Sequence, residues 1–156
     1  MLQESVDLIA EADELHRFLA TLQEAEWSRP TAFKQWTPWD VVAHLHFFDC
    51  VSLVALEGRE SFAARRDELV KAMVAGVSNT ELARREFGNL APAELLARWI
   101  RSCHDMATQL GESDPERRAS AIDICDNDLH LFNDDFIETD GGVHNIRVCR
   151  NRGVNA

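Results

Sequence analysis

Between Gln3 and Gly111 the apolar residues return at steps of three and four, which commits this stretch to helices that each bury one stripe. Leu8, Ala12, Leu15, Leu19 and Leu22 form the first stripe, over roughly Gln3 to Gln23, with acidic residues opposite. Leu96, Trp99, Cys103, Met106 and Leu110 form another, in a helix that starts at Pro92 and meets a glycine stop at Gly111. The helix between them has the clearest start. Thr37 is the expected N-cap, Pro38 suits the first helical position, and Asp40 is placed to interact with the free backbone N–H groups. It is expected to run to about Glu57 and end at Gly58. Arg59 to Glu86 predicts two short helices broken near Gly76-Val77-Ser78-Asn79. One-striped helices must bury their stripes against one another. Residues 1–118 therefore predict an all-α bundle of three long helices plus short ones.

The pattern changes after Arg118. "FIETDGGVHNIRVC" reads as two short strands about an Asp-Gly-Gly turn, Phe136 to Thr139 against Val143 to Cys149. Residues 119–156 are thus expected to be a divergent tail, irregular or a β-hairpin, packed on the bundle.

Composition narrows the class of partner. A net charge of −11 and a pI near 4.9 disfavour a nucleic-acid surface, which needs Lys and Arg to neutralise phosphates. No run of 18 apolar residues occurs, so no membrane span is expected. The acidic, amphipathic N-terminus fits neither a secretory signal nor a transit peptide. The four cysteines, Cys50, Cys103, Cys125 and Cys149, form no CxxC pair, and reduced thiols in a cytoplasmic protein are the simplest expectation. Dinucleotide, P-loop and nucleophile-elbow motifs are absent. "DICDNDLHLFNDD" lacks the ligand spacing of a calcium loop.

The residue with the most chemistry is His44, in "QWTPWDVVAHLHFFD". It falls on a stripe with Val41, Phe48, Val51 and Ala55. His46 lies about 200° further round, at roughly 100° per residue, so it faces away and the two cannot chelate one ion. Taken alone, His44 reads either as a core histidine with one hydrogen bond or as a metal ligand. Asp40, one turn earlier, reads as an N-terminal helix acid or as the partner that orients the His44 ring. Trp36 and Trp39 read as packing residues or as the wall of a pocket.

The segments "EWSRPTAFKQWTPWDVVAHLHFFD" and "EFGNLAPAELLARW" resemble the DinB-like metal-binding superfamily, and more closely its mycothiol-dependent maleylpyruvate isomerase type of metal-binding domain. The resemblance covers about residues 1–118. It rests on Trp27, Pro30-Thr31, Trp36-Thr37, Asp40 and His44-Leu45. It implies a DinB-like helical bundle holding one divalent metal, zinc or nickel, with His44 as one ligand. It also implies thiol-dependent isomerase or transferase chemistry with a low-molecular-weight thiol and a small-molecule substrate. Such domains draw their remaining ligands from a fourth helix, as Glu or His followed four residues later by His. This chain departs there: after Arg118 no HxxxH or ExxxH occurs. The candidates left are His130, Glu138 and His144, with Asp134 and Asp135 behind them. A second reading is a non-catalytic bundle that has lost the metal site and self-associates, as a homodimer, through its open helical face.

Overall fold

The computed structural model describes residues 1–113, and beyond them the backbone of four three-residue strands. Within 1–113 the fold is all-α, a DinB-like helical bundle. Its elements are α1 (Gln3–Leu19), a 3-10 turn (Glu24–Ser28), α2 (Pro38–Glu57), α3 (Arg59–Val74), α4 (Asn79–Phe87) and α5 (Pro92–Glu112). Strand Asp123–Cys125 pairs in parallel with Arg147–Cys149, and Asp128–His130 with Arg152–Val154. Of the expected hairpin, the first strand (136–139) and the turn lie outside the described residues.

α5 is the shared support, with α1 against it on one side and α2 on another. α2 also carries α3 and α4. The core gathers Val42, Ala43 and Phe47 of α2, Leu95, Leu96, Trp99 and Cys103 of α5, Phe87 of α4, Ala12 and Leu19 of α1, and Trp27 of the 3-10 turn. α2 is long and apolar enough to cross a membrane by length and composition. Here it is the helix on which three others pack.

The start of α2 matches its sequence signal. Thr37 Oγ1 accepts from Asp40 N–H at 3.2 Å, and the Asp40 carboxylate accepts from Thr37 N–H at 3.0 Å, a reciprocal cap. The Trp39 indole donates to Leu90 O at 3.2 Å, which ties this helix start to the turn before α5. Gly58 (φ 143°) stands between α2 and α3, and the chain breaks between Val74 and Asn79, close to the expected point. α3 lies along α2 and has no buried residue; Val70, Met73 and Val74 are exposed.

Two expectations are corrected. α1 ends at Leu19 rather than near Gln23, and the chain turns through residues 20–22 into the 3-10 turn. Gly111 is not a stop. α5 continues through it to Glu112, and a Cβ there would stand 2.7 Å from Ser5 Oγ and 2.8 Å from Met1 Cγ. The glycine lets α1 approach α5 closely.

Candidate functional site around His44

His44 and His46 exchange the roles that a core stripe through His44 would give them. His46 is 5% exposed, stacked on Phe87 at a ring separation of 4.5 Å, with Cys50 Sγ 3.6 Å from its Nδ1. His44 is half-buried, between Trp36 (5.0 Å) and Phe48 (4.8 Å), and Phe48 is itself 39% exposed. The Val41-His44-Phe48-Val51 stripe is thus the shallow side of α2, and Val42, Ala43, His46 and Phe47 are the deep one. The physical reason is that α2 is apolar on nearly every side, so its periodicity does not choose a face. The small side chain of Ala43 and the packing of Phe47 and His46 against Phe87 decide it. The separation of the two imidazoles stands, and they share no site.

Asp40 does not hydrogen-bond to His44. Besides capping the helix, its carboxylate accepts from Arg84 of α4 at 2.7 Å (Nε to Oδ1) and 3.0 Å (Nη2 to Oδ2), a two-point pair. Burial works against its ionisation, but Arg84 and the Thr37 hydrogen bonds outweigh that and hold its pKa below the usual carboxylate value. The orienting role that the sequence allowed for Asp40 is therefore filled by a structural one. Arg84 sits 44 residues away and carries no local signal.

The His44 ring is packed on both sides but keeps one polar atom unused. Its Nδ1 is buried and has no hydrogen-bond partner among the described residues. Burial, and then the charge of Lys34, lower its pKa, so at neutral pH it is an uncharged imidazole with a lone pair to donate. That is the protonation state a metal ligand requires.

Around it, residues 31–36 fold back tightly. Thr31 N–H donates to Trp36 O and Trp36 N–H to Phe33 O, each at 2.8 Å, and Phe33 meets Trp36 edge-on at 5.5 Å. Trp36 thus packs, half-buried, beside the His44 ring. Sequence reasoning passed over Lys34, one of two lysines in the chain, although its place between Phe33 and Trp36 was a usable signal.

On the far side of α2, Asp49 is half-buried, with its Oδ2 unpartnered among the described residues. Burial pushes its pKa up to about 7, against a hydrogen bond from Trp99. Cys103 is pushed up to about 12 by burial and by the neighbouring carboxylates of Asp49 and Asp13, and burial raises Cys50 as well. Neither thiol has the electropositive setting of a nucleophile.

Glu138 and His144, like Asp134 and Asp135, lie outside the described residues, and of His130 the structure gives the backbone strand alone. Among the described residues no group of three His, Cys, Asp or Glu could hold a metal ion. Residues 1–113 by themselves therefore gather no metal-ligand set around His44.

Comparison with known proteins adds a family. The model of the mycothiol maleylpyruvate isomerase N-terminal domain matches residues 8–126. Two uncharacterized proteins of Mycobacterium tuberculosis, MT0041 of strain CDC 1551 / Oshkosh and Rv0036c of strain ATCC 25618 / H37Rv, are each 35% identical over 94 residues. That stretch is 60% of this chain, and it spans about a third (35%) of the length of each relative. No solved structure matches.

Proposed function

The chain belongs to the mycothiol maleylpyruvate isomerase N-terminal domain family, and from that premise we propose that it binds a divalent metal, zinc or nickel, through His44 and serves thiol-dependent isomerase or transferase chemistry on a small molecule. The observation that carries the reading is the state of His44: neutral, half-exposed, its Nδ1 without a partner among the described residues, its ring fixed between Trp36 and Phe48. The remaining ligands in this proposal are Glu138 and His144. A divalent ion in such a site supplies Lewis acidity, lowering the pKa of a bound thiol or water. The chain's own residues supply the rest. His44 donates a lone pair without first losing a proton, Trp36 and Phe48 hold its ring plane, and Trp36 forms an apolar wall for the body of the substrate.

The test is metal content by elemental mass spectrometry of protein purified without a histidine tag, beside a His44→Ala variant. About one zinc or nickel per chain, lost in the variant, is expected. No metal in either protein after incubation with both ions would overturn the reading.

A second reading, a non-catalytic bundle that self-associates, is favoured by the exposed apolar side chains of α1 and α2: Val6, Leu8 and Phe48. It is separated from the first by the same metal measurement together with the mass in solution. A metal-free protein whose mass rises with concentration supports it. A metal-loaded protein of constant monomer mass removes it.

A further inference from the structure

We propose that the cavity between α2, α3 and α4 is a separate binding site for a small amine, whose ammonium pairs with Glu68 beside Glu86 and whose apolar body lies on Leu69 and Leu82. This goes beyond the metal proposal and does not depend on it, since neither His44 nor its neighbours Trp36 and Phe48 line the cavity.

The first observation is the cavity itself. It measures about 330 Å³ and opens to solvent, within the size range of small-molecule sites. Its floor is apolar. Phe47 of α2 is 1% exposed, and Leu69 of α3 and Leu82 of α4 stand half-buried beside it, both packed against the core. Water against these side chains is released when an apolar group covers them, a driving force that charge alone does not give.

The second observation is the charge balance at the rim. Arg65 is its centre. The guanidinium lies over the Phe47 ring at 5.0 Å, donates to Glu86 at 2.7 Å and faces Glu68 at 3.6 Å. Two carboxylates thus share one guanidinium. Arg85, the other cation of the lining, is paired with Glu81. Two cations therefore stand against three carboxylates, and one negative charge is left in excess. Glu68 has the capacity to spare: its side chain is 70% exposed, and Arg65 stands beyond hydrogen-bond distance from it.

The third observation selects the ligand. An anion entering here would meet Glu68 and Glu86 across a guanidinium that both already engage, so acids and phosphate esters are poor fits. A single ammonium completes the balance. It brings three N–H donors in a compact group, and Arg65 can stay on Phe47 while Glu68 accepts. The net charge of −11 adds a long-range preference for cations over anions. The apolar floor then asks for a hydrocarbon body behind the amine.

The test compares phenethylamine with its neutral isostere phenethyl alcohol and with the anion hydrocinnamate. The readouts are the Leu69 and Leu82 methyl resonances in carbon–proton NMR spectra of the whole chain. Phenethylamine is expected to shift both saturably, with an affinity about 5-fold above that of the alcohol, the upper end for one exposed charge pair. Hydrocinnamate is expected to bind more weakly than the alcohol. Glu68→Gln leaves Arg65 and Glu86 as a balanced pair and is expected to bring the amine down to the alcohol level. Glu112→Gln, at the far end of α5, removes the same charge from the molecule and is expected to keep the preference. No saturable shift of the two methyl signals, equal affinities for amine and alcohol, a preference that survives Glu68→Gln, or one lost equally in Glu112→Gln would overturn the proposal. None of these readouts passes through His44 or a metal, so failure of the metal reading leaves this result readable, and the reverse also holds.

Discussion

His46 and His44 sit two residues apart on α2, yet one stacks on Phe87 inside the bundle and the other keeps a buried Nδ1 without a partner among the described residues. Their substitutions should therefore separate stability from binding. His46→Ala removes a packed ring and leaves a cavity, and about 2–3 kcal/mol of unfolding free energy should be lost. His44→Ala, at a half-exposed position, should cost less than about 1 kcal/mol. In the metal proposal, only the second abolishes metal uptake. Urea denaturation and elemental analysis of both variants check this.

The Asp40–Arg84 pair joins the start of α2 to α4, and Asp40 is 2% exposed. Arg84→Ala leaves a buried carboxylate with its capping bonds alone. A loss of about 1.5–3 kcal/mol is expected, the range for a hydrogen bond to a charged group. The pH dependence follows from the lowered folded pKa of Asp40. Its contribution is present above the unfolded value near 3.8 and fades as pH falls through the folded one, so parent and variant should converge in strong acid. Denaturation midpoints at pH 7 and in strong acid test both parts.

Asp49 has the opposite sign. Its folded pKa, about 7, lies above the unfolded value of 3.8. The stability this neutral acid allows is complete below pH 4 and is lost as pH rises through 7. Asp49→Asn, which cannot ionise, should be more stable than the parent by about 2 kcal/mol at pH 8.5 and indistinguishable from it near pH 4. An Asp49→Asn curve parallel to the parent across that range would contradict the assignment.

Gly111 supplies a steric test. In an ordinary helix interior, alanine would gain about 0.5–1 kcal/mol over glycine. Here the new methyl meets Ser5 Oγ at 2.7 Å and Ser5 Cβ at 3.0 Å, so Gly111→Ala should instead destabilise by about 1–2 kcal/mol. Adding Ser5→Gly should recover part of that loss, measured as melting temperature in a double-mutant cycle.

These contrasts show what a sequence exposes. Caps and breaks are local, so Thr37, Pro38, Asp40 and Gly58 marked α2 within a residue, and the gap before Asn79 fell where Gly76 and Ser78 placed it. Choosing a face is not local. α2 is apolar around most of its circumference, and only contact with Phe87 and α5 makes His46 the deep residue and His44 the shallow one. Gly111 looked like a terminator because close helix approach and helix termination call for the same residue. The family resemblance was legible from tryptophans, a proline and the His44-Leu45 pair, while the partners a metal at His44 would need were not, because their candidates carry no fixed spacing.

α3 has a further consequence. A sixteen-residue helix with no fully buried residue is held to the bundle by few ties, chiefly Leu69 against the core and Arg65 paired with Glu86 of α4, and such a helix is marginal alone in water. Its amide protons should exchange with solvent long before those of α5, through local opening rather than global unfolding. A protease added to the native protein should then cut first between Gly58 and Asn79, leaving the two flanking pieces associated through the Phe87, Trp99 and Phe47 core.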